Sequence, residues 1–446
     1  RDGTPLVTAA LLGAVCASPF LFGCVEPWSR GLLELAIFAL TAVQLARAPF
    51  AWRRVPPHAW GIFAVAGLAA VQARAPLSAL AAAGGPATSS AWASAATARL
   101  WAAYGCLAWL AAVELRSRRR VERAAWALVA AGTAVAVIGI VQKGSGADAF
   151  YGLRSIPGRF TVFGPYFYKN HAGGLLAMTC ALTAGLLLAR AAAYAGGRTI
   201  GELANFWSSQ ALFGAALAVQ GVGIWMSGSR GAFHSLAGGA AAVSVLAILG
   251  FAGRLRRARW TVALLVGVAA YAAFVVSFPH LVDAEEGKLA GSLLARVRIW
   301  ESAWAMLRAR PWWGFGLGTF EYAYPPLHGA LSEIGVVEHA HAEWLELLCT
   351  GGVVAVVLYG AGLLVQLAFA VRAWWRWQEP PMRRLLGGAL AAAFVFIVHG
   401  LAELNFQSPA NAAVFLVVSV LVFAPQRRGA AEEGERVPQH AAGWPG

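Results

Sequence analysis

The chain has 446 residues, 59% of them apolar and 13% charged, with a mean hydropathy of +0.62. Water-soluble domains carry about 25% charged residues, so this composition excludes a cytosolic enzyme and a disordered or fibrous chain, and predicts an all-α polytopic membrane protein. The formal charge of +14 comes from 35 Lys+Arg against 21 Asp+Glu, but the arginines sit in short clusters between apolar stretches, where the positive-inside rule expects them, and no nucleic-acid partner is implied.

A helix needs about 20 mostly apolar residues to cross the hydrocarbon core. Windows of that size predict twelve spans: 5–24, 31–46, 57–73, 98–115, 124–142, 171–189, 211–227, 232–252, 260–278, 351–371, 386–402 and 410–424. The first is followed by no A-x-A-like cleavage site and is read as a retained span. With both termini inside, the inner loops collect Arg47, Arg53 and Arg54, the Arg116–Arg123 cluster, Arg190 and Arg198, the Arg254–Arg259 cluster, the Arg372–Arg384 group, and Arg427, Arg428 and Arg436. That alternation, loop by loop, is independent of the hydropathy count. Cys16, Cys24, Cys106, Cys180 and Cys349 lie in or beside apolar stretches without CxxC spacing and read as packing residues.

The division that follows is 1–278 for spans one to nine, 279–350 for a long outer loop, 351–424 for spans ten to twelve, and 425–446 for a polar, Gly-rich inner tail expected to be disordered. Most cations that orientation does not require fall in three outer segments, 143–170, 227–231 and 279–350. Connections usually run about 4–6 residues, and far longer ones are usually functional, so the chemistry is expected on the outer face. Trp312, Trp313, Tyr322, Tyr324 and Trp344 in the last segment suit an interfacial belt and a sugar or lipid platform equally.

Within that loop, residues 292–309 read as an amphipathic helix in which Arg296 shares a face with Trp300, Ala303 and Leu307, while Arg298 lies about 200° away, so only one arginine is expected to face a site. The Gly314-Phe-Gly-Leu-Gly318 run follows no strand and lacks the later spacing of a nucleotide fingerprint; it reads as a turn that folds the loop back onto the membrane surface. His339 and His341 stand two apart with no zinc pattern around them, and no metal site is expected. In Ser227-Gly-Ser-Arg230-Gly231, Arg230 at a helix junction suits an anion, or snorkels to lipid phosphate. Lys169, Asn170 and His171 at the start of the sixth span suit a pyrophosphate or a hydroxyl-rich ligand, or equally an interfacial anchor with an Asn cap, and Arg159 just upstream is a further substrate-binding candidate. His399, Glu403 and Asn405 form another polar group; Glu403 either pairs with an active-site arginine or is structural. The only aspartates are Asp2, Asp148 and Asp283, and there is no D-x-D, Walker A or G-x-S-x-G, which removes support from metal-dependent nucleotide-sugar transfer, ATP-driven transport and lipase-type hydrolysis.

The order SGSRG, then R-x-x-x-W-x-x-A with P-x-x-G-x-G-x-G-x-F, then H-A-E-W-L-E-L-L-x-x-G-G, resembles the O-antigen ligase and polymerase superfamily of bacterial envelope glycosyltransferases. The motifs cover about residues 160–352, and the twelve-span hydropathy extends the likeness over nearly the whole chain. The resemblance implies an inner-membrane enzyme whose periplasmic cavity takes an undecaprenyl-pyrophosphate-linked glycan as donor, with lipid A core or a second lipid-linked glycan as acceptor, membrane lipids around it, and no cofactor. It implies Arg230 and Arg296 at the donor pyrophosphate and His341 beside the acceptor hydroxyl. From the residues themselves, Arg298, Lys169, His171, Arg159, His339, Glu343 and Glu403 are the substrate-binding candidates. Family members commonly have Asn after the histidine, where this chain has Ala342, which leaves Glu343, Glu338 or Glu403 to orient the imidazole. The chemistry agrees: fixed guanidiniums stabilise a departing diphosphate without a metal, and an imidazole takes the hydroxyl proton. A ligase is the first expectation and a polymerase the second. A lipid-linked glycan flippase is the rival of another class, but transporters place ionisable groups near mid-membrane, whereas these cations gather at one face.

Overall fold

The structure, a computed structural model, describes residues 5–76, 85–147, 149–155, 162–194, 199–251, 286–324 and 337–422. Its helices are α1 (Pro5–Ala17), α2 (Pro27–Arg47), α3 (Pro57–Gln72), α4 (Ala91–Glu114), α5 (Arg118–Ser145), α6 (Lys169–Ala193), α7 (Ile200–Ser227), α8 (Arg230–Phe251), α9 (Glu286–Ala309), α10 (Glu343–Arg376), α11 (Pro380–His399) and α12 (Pro409–Leu421). The protein is an all-α multi-pass membrane protein. Eight of these helices, α2, α4 to α8, α10 and α11, are long and apolar enough to cross a bilayer.

Helices stand at every predicted span except 260–278, which lies outside the described residues, as does the predicted tail. Three are shorter than expected: α1 and α12 have 13 residues each and α3 has 16. The first span stops at Ala17 because Pro19 and Gly23, the latter at φ +66°, turn the chain through two short 3₁₀ turns. Helix ends follow local chemistry. Ser90 and Ser117 cap α4 and α5, Thr199 and Glu202 form a reciprocal capping box on α7, and Gly146 and Gly228 close α5 and α7 in the left-handed region.

The core is a set of closely packed helices. Helix α11 packs along α6, where Gly185 and Gly388 let the backbones meet: a Cβ on Gly185 would stand 2.7 Å from the Gly388 Cα. Helix α3 lies between α4 and α10, and α12, buried along its whole length, fits against α4 and α11. In the α5–α6–α7 interface, Gln220 accepts from Thr183 at 2.9 Å and donates to Thr133 at 2.9 Å, so a buried amide is satisfied within the apolar layer.

The two ends of this bundle differ. At one end Arg118 pairs with Glu379, Arg120 with the buried Glu114 at 3.5 Å, and the Trp375 indole donates to Leu246 O at 2.9 Å. At the other end lie the C-termini of α5 and α11, the α7–α8 junction and the N-termini of α6, α10 and α12. A two-stranded antiparallel hairpin, Ala149–Phe150 with Arg154–Ser155, belongs to this second end. Arg154 pairs there with Glu26 at 3.0 Å and covers the rings of Phe22 and Phe167.

Candidate active site

Helix α9 supplies the first cationic group. Ile299, Ala303, Met306 and Leu307 are buried, so the helix sits with one face on the bundle, and Trp300 donates its indole N–H to Ala340 O at 2.9 Å. Arg296, one turn before Trp300, is carried inward by the same face. Its Nη1 donates to Ala402 O at 2.7 Å, and its Nη2 is ion-paired with Glu403 Oε1. Arg298 is exposed, as the helical spacing requires.

Glu403 is the point at which four segments meet. Its Oε1 also accepts from Asn170 Nδ2 of α6 at 2.6 Å, and its Oε2 lies 4.0 Å from His341 Nδ1. Helix α8 approaches from another side: a Cβ on Gly231 would stand 3.2 Å from His399 Nε2 and 3.6 Å from Glu403 Cγ. The preceding residue, Arg230, is half-buried and has no hydrogen bond or ion pair among the described residues. Its charge is felt by His234, one turn on. Lys169 completes the rim: its Nζ lies 3.4 Å from where a Gly228 Cβ would be, and its charge acts on Glu403. Burial raises the Glu403 carboxyl above its ordinary value, opposed by Arg296, Asn170 and Lys169.

The histidine is presented by a strained loop. His341 has φ +51°, a region that residues other than glycine seldom adopt. What holds it is Glu346 in the first turn of α10, which accepts from Ala340 N at 2.9 Å, contacts His339 Nδ1 at 3.0 Å and accepts from Gln407 at 3.2 Å. Burial, then the Arg296 cation, then His339 lower the His341 pKa to about 4, with Glu346 opposing. His339 goes the other way. Burial alone would lower its pKa, but the Glu346 charge and hydrogen bond outweigh it and raise it.

Of the residues singled out from sequence, the structure gathers Arg296, Glu403, His341, Asn170 and Lys169 around one point, with the Arg230–Gly231 start of α8 beside it. His399 stands against Gly231 at its edge, and the other described ones are engaged elsewhere or exposed. His171 is buried in α6 with its ring beside Tyr168 and its carbonyl bonded by Asn411. His339 is committed to Glu346. Glu343 accepts from Phe406 N at 3.0 Å while its own N–H donates to Gly400 O, so it ties α10 to the α11–α12 connection. Glu338 is exposed, and Arg159 lies outside the described residues. Glu346 carries a role that sequence reading missed. A glutamate within the first turn of an apolar helix, next to the histidine pair, was the available signal.

The glycine run docks into the bundle, not onto a membrane surface. Gly314, Gly316 and Gly318 all have positive φ. Phe315 N and Gly316 N donate to Cys349 O and Thr350 O at 3.1 and 2.8 Å, and Leu317 N donates to Gln72 Oε1 at 3.0 Å. Its amides are therefore spent on protein carbonyls and an amide, not arranged around a phosphate. Among the described residues, no three His, Cys, Asp or Glu side chains stand where they could share a metal ion.

Residues 215–360 match the family model described as O-antigen ligase, a stretch that takes in Arg230, Arg296 and His341. No curated protein matches the chain.

Proposed function

We propose, from the match of residues 215–360 to the O-antigen ligase family model, that this chain moves a glycan from a polyprenyl pyrophosphate to an acceptor hydroxyl at the outer face of the bacterial inner membrane. One observation carries the reading. Arg296 of α9, His341 before α10 and Glu403 after α11 meet beside Lys169 and the Arg230–Gly231 start of α8.

The chemistry needs little else. Arg296 and Arg230 hold the donor diphosphate, and their grip strengthens as the bond from the sugar C1 to the phosphate oxygen breaks and its electron pair leaves with the diphosphate. The acceptor hydroxyl oxygen bonds to C1 from the opposite side as His341 takes its proton, so the anomeric centre inverts; a product of retained configuration would contradict a single displacement. The energy resides in the donor, and the positive charge that a divalent ion would supply comes from guanidinium and ammonium groups. Turnover is therefore expected to survive EDTA, and a loss restored by added Mg²⁺ would overturn that point.

The reading is tested with purified protein and a lipid-linked oligosaccharide, with and without lipid A core. A single ligated product identifies a ligase, a ladder in the absence of core identifies a polymerase, and no transfer under either condition removes the assignment. Arg296→Ala and Arg230→Ala should each raise the donor KM and lower kcat while the protein still inserts in the membrane. Undiminished transfer in both would take them out of the site.

A further inference from the structure

Glu403 stands between two groups that this reaction uses at different moments. Its Oε1 is held by Arg296 and by Asn170, and its side chain is 6% exposed. Its Oε2 lies 4.0 Å from His341 Nδ1, too long for a hydrogen bond and short enough that a movement of about 1.2 Å would make one. The charged and titratable groups around the imidazole are Arg296 on α9, Glu403 between α11 and α12, Glu346 on α10, His171 on α6 and His339 on its own loop. As they stand, the carboxylate nearest the imidazole is committed to a cation, and His341, with its pKa near 4, is a weak base for a sugar hydroxyl.

We propose that Glu403 exchanges partners when the donor binds: a diphosphate oxygen takes over the Arg296 guanidinium, and Glu403 Oε2 closes on Nδ1–H of His341, leaving Nε2 as the nitrogen that receives the acceptor proton. The proposal rests on the reading of Arg296 as a donor contact. Charge pairing is conserved throughout, because Arg296 trades one anion for another, to which its planar fork is well matched, while the carboxylate gains an imidazole N–H. Asn170 remains on Oε1 as the pivot about which the carboxyl group turns. The exchange breaks no covalent bond and moves no proton between heavy atoms. In the transfer that follows, the hydroxyl proton goes to Nε2, and Nδ1–H⋯Oε2 stabilises the imidazolium. Glu403 is thus a positioning residue, and proton removal waits for the donor.

The test is nitrogen NMR of histidine-labelled full-length protein in detergent, with inorganic pyrophosphate as the probe. In the wild type, pyrophosphate should move the His341 Nδ1–H resonance downfield and raise its apparent pKa by at least about one unit. Arg296→Ala frees Glu403 and should show the same downfield Nδ1–H resonance with no pyrophosphate added. Glu403→Gln should show neither change and should lower kcat by at least about tenfold with the donor KM within about twofold, Glu403→Asp recovering part of the loss. Pyrophosphate that binds the wild type but leaves the imidazole as in Glu403→Gln overturns the exchange alone, and so does an Arg296→Ala protein whose imidazole is unchanged. Absence of pyrophosphate binding to the wild type overturns both the exchange and the donor reading beneath it.

Discussion

A histidine at φ +51° costs roughly 1–2 kcal/mol relative to ordinary backbone, and such strain survives only where neighbours over-determine it. Glu346 does so by holding both Ala340 N and His339. Glu346→Ala should therefore lower kcat by about tenfold or more while the donor KM moves little, because the imidazole loses its aim and the arginines do not. An equal loss in KM would mean that Glu346 shapes the anion site instead. Protonation of His341 has a definite sign. Its pKa is lowered to about 4, so the base form persists as pH falls and is lost only near that value. The kcat/KM profile, which reports the free enzyme, should be flat from neutrality down to about pH 5 and fall below it, and the kcat profile should fall at higher pH, because a bound diphosphate favours the imidazolium. A kcat/KM limb near pH 6.5 would show His341 unperturbed, or not the base.

At the scale of elements, α10 holds the most informative departure from a plain span. It runs 34 residues from Glu343, and Gly352 interrupts it at φ +71°, ψ −176°, a conformation essentially confined to glycine. There Val353 N and Val354 N donate to Pro311 O and Trp312 O, and a Cβ on Gly352 would collide with the Trp312 carbonyl. The kink is where the 310–318 turn is clamped, and that turn follows directly from α9, which carries Arg296. Gly352→Ala should therefore lower the thermal melting temperature of the detergent-solubilised protein and raise the donor KM, whereas Gly360→Ala, with open space at its Cβ, should leave both unchanged. Similar effects of the two would show that the kink is not what sets the turn. This element also shows what the sequence could and could not disclose. Apolar windows and the 3.6-residue period located nearly every described helix and put Arg296 and Arg298 on different faces, because those signals are local. The glycine turn was recognisable from composition, but its seat against Thr350 and Gln72 was not, since both partners are distant in the chain and the turn itself pairs through backbone groups that every residue carries. Arg296, His341 and Glu403 could each be nominated, whereas Glu346 could not be told from any helix-start glutamate until the loop it holds had a shape.

At the scale of the whole molecule, the arginine clusters of the connecting loops give a testable expectation of which end of the bundle faces which way. Helix α5 joins the two ends: it runs from Arg118 to Ser145, 28 residues, or about 42 Å at 1.5 Å per residue, enough to cross the bilayer and clear both interfaces. Its N-terminal end belongs to the arginine-rich side, where Arg118 and Arg120 are neutralised by Glu379 and Glu114. Its C-terminal end leads into the hairpin on the side of Arg296 and His341. By the positive-inside rule the first end is expected in the cytoplasm, since cationic loops resist translocation, and the proposed reaction requires the second outside, where the acceptor waits. In a background with the five cysteines replaced, Ser145→Cys should react with a membrane-impermeant thiol reagent in intact spheroplasts, and Arg119→Cys only after permeabilisation; both positions are exposed. The reverse pattern would place the arginine–histidine cluster against the cytoplasm, where a glycan already delivered to the outer leaflet could not reach it, and periplasmic transfer would fall even if the side-chain geometry stood.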